Sequence, residues 1–105
     1  MSSLSTHVLD TALGRPAARV PVRLYDGDVI RATGATDDDG RIAELAPELA
    51  AGTYRLWFDV ATYAKETGQD FFFPEVSVTF TVAGERHYHV PLLLSPFAFS
   101  TYRGS

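Results

Sequence analysis

Two segments of the chain alternate apolar and polar side chains with a period of two residues. Residues 19–25 read Arg-Val-Pro-Val-Arg-Leu-Tyr, and residues 76–82 read Val-Ser-Val-Thr-Phe-Thr-Val. A period of two places successive side chains on opposite faces of an extended strand, so both segments are predicted to be half-buried β-strands. This pattern constrains the fold most, because a sheet with one apolar face must cover that face with a second layer.

Three further segments, residues 4–10, 53–58 and 88–94, are rich in aromatic, β-branched or bulky apolar residues. Clusters of turn-forming residues such as Gly, Pro and Asp separate the predicted strands at residues 14–16, 26–28, 37–40, 51–52 and 83–85. Short strands punctuated in this way are typical of a β-sandwich. The sequence therefore predicts an all-β fold.

One segment departs from the strand pattern. Residues 60–68 contain Ala, Lys and Glu, follow Asp59 as a candidate N-cap and end at a Gly. These are the signals that begin and end a helix, so one short helix is predicted here.

The composition excludes several classes of function. The 105 residues suffice for one domain over residues 1–105 and are too few for two ordinary domains. Nine Lys and Arg are scattered among thirteen Asp and Glu, for a net charge of −4, so the basic stripe that nucleic acid requires is missing. The absence of Cys removes disulfides and zinc-thiolate sites.

The N-terminal residues 1–7 have neither the basic nor the apolar region of a signal peptide, and no stretch of the sequence has the roughly 18 apolar residues of a membrane span. Residues 103–105 are not a Ser-Lys-Leu peroxisomal address. A cytoplasmic protein with no membrane partner is expected.

His7 and His89 fall on predicted strands whose second faces are partly apolar, and His87 lies just before the second of these strands, next to the turn at residues 83–85. By strand parity His7 lies opposite Val8, whereas His89 shares a face with Pro91 and Leu93. A sheet that is apolar on both faces needs two coverings, and one short helix is too little for the second. We therefore expect another subunit to supply it, with the histidines at a subunit interface or cleft.

The residues alone leave several interpretations open for these side chains. Spacing favours histidines that are merely structural, since an isolated histidine has no evident catalytic partner. A zinc site of His7, His87 and His89 is a weaker hypothesis, and a serine hydrolase is weaker still because no Gly-x-Ser-x-Gly motif exists. Arg41, after the turn at residues 37–40, reads most simply as a solvated arginine.

The chain ends in a polar tail, Tyr-Arg-Gly-Ser, at residues 102–105. The apolar run at residues 90–94 must be buried and would carry the tail toward the interior, where it could line a site. The simpler alternative is a polar chain end that closes a subunit interface.

Five segments together resemble one family, the transthyretin-like 5-hydroxyisourate hydrolases. They are Leu-Ser-Thr-His-Val-Leu-Asp at residues 4–10, Asp-Gly-Arg at 39–41, Phe-Phe-Pro-Glu-Val at 72–76, His-Tyr-His-Val-Pro-Leu-Leu-Leu-Ser-Pro at 87–96, and the tail at 102–105. Phe97 and Phe99 replace tyrosines that are common in relatives. The resemblance implies a transthyretin-like β-sandwich of seven to eight strands, assembled as a homotetramer of two dimers with active sites in the channel between them.

The resemblance also implies an activity: cofactor-free and metal-free hydrolysis of 5-hydroxyisourate to 2-oxo-4-hydroxy-4-carboxy-5-ureidoimidazoline during urate degradation. In that case His7 and His89 activate the water, and Arg41 holds the substrate and stabilises the oxyanion. Tyr102 binds the ring edge, and Ser105 acts through its hydroxyl or carboxylate. Arg103 is expected to be structural. The alternative is a carrier that binds a small apolar ligand in the tetramer channel.

Overall fold

The structure, a computed structural model, describes residues 1–104, which form nine strands and one helix. The strands are β1 (Ser2–Asp10), β2 (Arg15–Pro16), β3 (Pro21–Asp26), β4 (Val29–Ala35), β5 (Arg41–Leu49), β6 (Gly52–Phe58), β7 (Val76–Val82), β8 (His87–Ser95) and β9 (Ala98–Thr101). The helix α1 (Val60–Thr67) follows β6. Within the described residues no helix is both long and apolar enough to cross a membrane.

The strands form two sheets that face each other. One sheet has the order β2-β1-β8-β9, with β5 also paired to β1, and the other has the order β4-β3-β6-β7. The pairing of β1 with β8 is parallel, whereas every other named strand pair is antiparallel. The all-β sandwich predicted from the sequence is confirmed.

The core lies between the two sheets and follows the strand parity read from the sequence. Its buried side chains include Leu4 and Val8 of β1, Leu24 of β3, and Leu92 and Leu94 of β8. The odd-numbered residues of β1 and β8 lie on the opposite, outer face of their sheet. The prediction that the histidines face away from the core is thereby confirmed.

The five predicted strands and the helix are present within two residues of their predicted bounds. Asp59 caps the helix by accepting a hydrogen bond from the Thr62 amide, and Gly68 ends it in the left-handed conformation at φ 66°. The sequence reasoning missed β2, β4, β5 and β9, and residues 15–16, which form the two-residue strand β2, were predicted as part of a turn. β5 makes irregular, bulged pairs with β1, and β9 is exposed along its whole length, so neither shows a clear alternation.

One buried carboxylate ties the end of β1 to the helix. Asp10 is 1% exposed and accepts hydrogen bonds from the Tyr63 hydroxyl at 2.6 Å and the Gln69 amide at 2.9 Å. It also accepts the backbone amides of Ala12 and Leu13. Burial raises the pKa of Asp10, but these hydrogen bonds to the charged form outweigh it, so the pKa lies below the ordinary 3.8.

We expect Asp10→Ala to lower the free energy of unfolding by roughly 2–4 kcal/mol, because it leaves the buried Tyr63 hydroxyl without its acceptor. Since the folded pKa is the lower one, the stability from ionised Asp10 is present above pH 3.8 and is lost as the pH falls through the folded pKa. Urea unfolding measured at pH 7 and at pH 3 tests both statements. The exposed Asp28→Ala is the control, and an equal loss for the two variants would contradict this role.

Candidate active site

The outer face of the β2-β1-β8-β9 sheet brings together the histidines and Arg41. Three adjacent strands supply them: Arg41 lies opposite His7 in the β5–β1 pairing, and His89 lies opposite Ser5 in the β1–β8 pairing. These positions are far apart in the sequence and become neighbours through strand register alone. With His87 of β8, which lies opposite Ser3, the arrangement gives one guanidinium and three imidazoles on one surface.

The aspartate turn before β5 fixes the start of that strand against β1. The Asp37 carboxylate accepts hydrogen bonds from the amides of Asp39 and Arg41, each at 2.9 Å. Gly40 has φ 75°, and its carbonyl accepts the Val8 amide at 2.7 Å. A Cβ at Gly40 would collide with the Val8 carbonyl oxygen, so only glycine allows this close approach. The turn predicted at residues 37–40 is confirmed, and it places Arg41 beside His7.

His7 is oriented by the same turn. Its Nε2 lies 3.0 Å from the backbone carbonyl oxygen of Asp39. A carbonyl oxygen can only accept, so Nε2 of His7 carries the proton and donates it. In the neutral ring Nδ1 is then the acceptor, which is the nitrogen available to a ligand.

His89 is held from the opposite side of its ring. Its Nδ1 lies 2.7 Å from Oγ of Ser5, a serine that is only 7% exposed. Because Nδ1 is engaged, Nε2 is the nitrogen through which His89 can act on a water or a substrate. Ser5 Oγ also lies 2.7 Å from Nε2 of His87, whose Nδ1 lies 2.6 Å from Oγ of Ser3.

The surroundings of His89 favour its neutral form. The pKa of His89 lies below the ordinary 6.5. Burial is the largest cause, and the nearby charges of Arg41, His7 and His87 lower the pKa further. A neutral imidazole at pH 7 can accept a proton, which is the property required of a general base.

The C-terminal segment lies against His89. The Gly104 amide donates to the His89 carbonyl at 2.8 Å, and a Cβ at Gly104 would lie 2.5 Å from Cδ2 of the His89 ring. The expected association of the tail with the site is therefore seen at Gly104. Arg103 is exposed and lies over the Tyr88 ring, with Cζ 5.4 Å from its centroid.

Tyr102 and Arg103 do not point toward the interior, as was expected of the tail. Tyr102 is 57% exposed, and with Arg103 it lines a separate apolar pocket of about 540 Å³ beside Phe80, Tyr88 and Val90. Within one chain, therefore, Tyr102 and Arg103 stay at the surface, and Tyr102 lines a different pocket from Arg41. Ser105, the other tail residue assigned to the site, lies outside the described residues.

A shallow pocket of about 310 Å³ marks the site on the outer face. Its lining residues are Ser5, Thr6, Arg41, Ala43, His87 and His89. His7 is not among them, although its charge is close enough to affect His89. The pocket thus joins Arg41 to His89, and His7 stands at its border through the pairing with Arg41.

Sequence reasoning missed Ser3 and Ser5 as site residues. Both share the parity of His7 on β1, which is a readable signal. Their contacts with His87 and His89 depend on the parallel register of β1 and β8, which the sequence does not reveal.

The zinc hypothesis gains no support from the geometry. Among residues 1–104, no three His, Asp or Glu side chains are grouped so that they could hold a metal ion. Two of the three histidines instead contact serine hydroxyls, and the third contacts a backbone carbonyl.

Comparison with known proteins identifies the family. The model of the HIUase/transthyretin family matches residues 4–104. The chain belongs to that family. A mouse protein named 5-hydroxyisourate hydrolase is 46% identical over 114 residues, covering 99% of this chain and 96% of the mouse protein. The resemblance noted in the sequence is thereby confirmed.

Similar solved structures include a 5-hydroxyisourate hydrolase and a transthyretin in complex with thyroxine. The 5-hydroxyisourate hydrolase of Klebsiella pneumoniae has a TM-score of 0.94 and 39% identity, with all of both chains covered. Sea bream transthyretin in complex with thyroxine has a TM-score of 0.91 and 35% identity, covering 96% of this chain and 93% of that one. The shared backbone of the HIUase/transthyretin family therefore does not by itself decide the function.

We expect Gly104→Ala to separate the C-terminal segment from His89, because the added Cβ has no room against the ring. The ring resonances of His89 should shift in ¹H–¹³C spectra, with little change in the melting temperature, since Gly104 lies outside the core. Gly52→Ala is the control, because its Cβ would meet Tyr54 at an ordinary 3.8 Å. Unchanged His89 resonances in Gly104→Ala would show that this contact is absent.

Proposed function

We propose that this chain hydrolyses 5-hydroxyisourate, opening its six-membered lactam ring to give 2-oxo-4-hydroxy-4-carboxy-5-ureidoimidazoline in urate degradation. The proposal rests on one observation: Arg41 and His89 line the same polar pocket, and His7 lies at its border. Burial and neighbouring charges lower the pKa of His89, which favours its neutral form at pH 7. The relatives named 5-hydroxyisourate hydrolase support the choice of substrate.

Opening a lactam requires an activated water, stabilisation of the carbonyl oxygen as it gains charge, and a proton for the departing nitrogen. Arg41 supplies a permanent cation with several planar N–H donors. We assign it to the substrate carbonyl, where it binds the ground state and stabilises the oxyanion that forms on attack.

We assign the general base to His89, whose Nε2 accepts a proton from the attacking water. Its neutral state and its place beside Arg41 support this choice. His7 is held with Nε2–H on the Asp39 carbonyl, so its Nδ1 is suited to accept an N–H of the substrate or to share in proton transfer. The two histidines thus have different roles because different nitrogens are engaged.

The tail completes the proposed site. Gly104 contacts His89, which supports a role for the following residue, Ser105, in orienting His89 or pairing with Arg41. Tyr102 is largely exposed in its own chain, so we propose that it binds the substrate ring only within the assembly. No protein cofactor enters this scheme.

We propose that the assembly is a homotetramer of two dimers. Phe97 is 78% exposed and Phe72 is 70% exposed, and the edge strands β7 and β9 present unpaired backbone groups. A second subunit would cover such surfaces. One domain over residues 1–105 and a cytoplasmic location stay predictions.

The carrier alternative fits this site less well. An apolar ligand entering the pocket would desolvate Arg41, His87 and His89 without pairing them. The polar lining therefore favours hydrolysis over storage of an apolar molecule.

We expect freshly generated 5-hydroxyisourate to lose its ultraviolet signal faster with this protein than without it, and equally fast when a chelator is present. His89→Asn and His7→Asn should each lower kcat by roughly 10²-fold or more, and Arg41→Lys by a similar factor, since Lys loses the planar fork. Ser105→Ala should lower kcat if the hydroxyl acts and leave it unchanged if the carboxylate acts.

Arg31→Gln, an exposed substitution on β4 of the other sheet, is the matched control and should retain the wild-type rate. The size of each variant in solution verifies that the assembly is intact. Absence of any acceleration by the wild-type protein would refute the hydrolase proposal.

The pH dependence should report the environment of His89. Because a general base acts in its neutral form, kcat/KM should fall only as the pH drops through the lowered pKa of His89, below 6.5. Arg41→Gln removes a charge that lowers this pKa, so the acidic limb should move to higher pH. An NMR titration of His89 gives the same quantity without turnover. Arg31→Gln should leave the titration unchanged, and a downward move in Arg41→Gln would contradict the assignment.

A further inference from the structure

Four side chains form a continuous row of hydrogen bonds. Three of them, His89, Ser5 and His87, line the pocket, and the fourth, Ser3, lies outside that lining. The row runs from His89 to Ser5, from Ser5 to His87 and from His87 to Ser3, with distances of 2.7, 2.7 and 2.6 Å. Ser5 pairs with His89, and Ser3 with His87, in the parallel register of β1 and β8. The row begins at the half-buried His89 and ends at the exposed His87 and the partly exposed Ser3.

The protons along this row must be arranged consistently. Ser5 has one hydroxyl proton and contacts two ring nitrogens, so when both rings are neutral it donates to one and accepts from the other. If Nδ1–H of His89 donates to Ser5, then Ser5 donates to Nε2 of His87, and Nδ1–H of His87 donates to Ser3. In the opposite alignment Ser3 donates to His87, His87 to Ser5 and Ser5 to Nδ1 of His89.

The two alignments differ in the state of Nε2 of His89. In the first, Nε2 has a lone pair and can act as a base, whereas in the second Nε2 carries a proton and can act as an acid. The heavy atoms occupy the same positions in both. The row can therefore convert His89 from base to acid by moving protons alone.

We propose that Ser5, His87 and Ser3 form a proton relay that carries the proton taken up by His89 out to solvent. The bonds balance along the row. Nε2 of His89 gains a proton from the attacking water while its Nδ1–H passes to Ser5, whose own proton passes to Nε2 of His87. Nδ1–H of His87 passes to Ser3, whose own proton goes to a solvent water.

The charges around His89 explain why a relay is useful there. His7 on β1, Arg41 on β5 and His87 on β8 are the titratable groups that act on His89. An imidazolium formed beside the Arg41 guanidinium would be destabilised by burial and by like charge. Releasing the Nδ1 proton as Nε2 is protonated avoids that charge. When Nε2 then gives its proton to the departing nitrogen, the row runs in reverse: a solvent water gives a proton to Ser3, and Ser5 returns one to Nδ1, so the His89 ring is neutral after each transfer.

This inference rests on the proposed hydrolysis. Ser5, His87 and Ser3 are positioning residues that act on the reaction through His89, although Ser5 and His87 also line the pocket. We expect Ser5→Ala to lower kcat roughly 10-fold or more and to leave KM within about twofold, because only proton transfer is impaired. His87→Ala should behave alike, and added imidazole should restore part of its rate. The control is Ser77→Ala on β7, whose hydroxyl accepts a hydrogen bond from the side chain of Arg55.

A structural role for His87 would not respond to free imidazole, so rescue separates the two explanations. The relay would be overturned if either Ser5→Ala or His87→Ala kept the wild-type kcat. It would also be overturned if His87→Ala lost activity and added imidazole did not restore it.

The ¹⁵N resonances of the imidazole rings provide a readout that needs no substrate. In the wild-type protein at pH 7, His87 and His89 should share a coupled tautomer equilibrium, and Ser5→Ala should change the tautomer populations of both rings. Unchanged populations would overturn the relay whatever the kinetics show. If the wild-type protein failed to hydrolyse 5-hydroxyisourate while the tautomers remained coupled, the proposed function would fail and the proton row would stand.

Discussion

The parallel pairing of β1 with β8 is the constraint on which both the core and the site depend. Its register sets Leu4 beside Tyr88 and Val8 beside Leu92 toward the core, and Ser5 beside His89 on the outer face. A slip of one residue would exchange the two faces, burying polar side chains and exposing leucines. The hydrophobic core therefore holds this register in place, and the burial of Leu4, Val8 and Leu92 keeps Ser5 against His89.

The same surface joins two electrostatic requirements that oppose each other. A cation beside the reacting carbonyl stabilises the oxyanion, yet that cation also makes a neighbouring histidine a weaker base. Arg41 and His89 share one pocket, and the pKa of His89 is lowered as this conflict requires. In the proposed hydrolysis, His89 gains from the arrangement only if the proton it accepts does not remain on it as charge. The Ser5 hydroxyl at Nδ1, with His87 beyond it, meets that need in the proposed relay, whereas a carboxylate at Nδ1 would favour the charged ring.

Local patterns in the sequence predicted the elements that obey strict rules. Alternation identified residues 76–82, capping residues identified the helix at residues 60–68, and parity placed the histidines on the outer face. The pairing of strands was beyond such rules, because the partners of Ser5 are more than 80 positions away. The bulged strand β5 and the exposed edge strand β9 were not predicted either, because neither carries a regular apolar face. The family resemblance supplied Arg41, which local pattern alone would have left as a solvated turn residue.

The backbone of this family is compatible with a hydrolase and with a thyroxine-binding protein, so the fold leaves the function open. The outer face of one sheet decides it. That face contributes little to the core, because its side chains point away from the space between the sheets. Substitutions there can replace histidine, serine and arginine by apolar residues without disturbing Leu4, Val8 or Leu92. A hydrolase and a thyroxine-binding protein can therefore share one sandwich. The residues that stabilise the fold alternate along β1 and β8 with the histidines assigned to the proposed chemistry, and β5 adds Arg41.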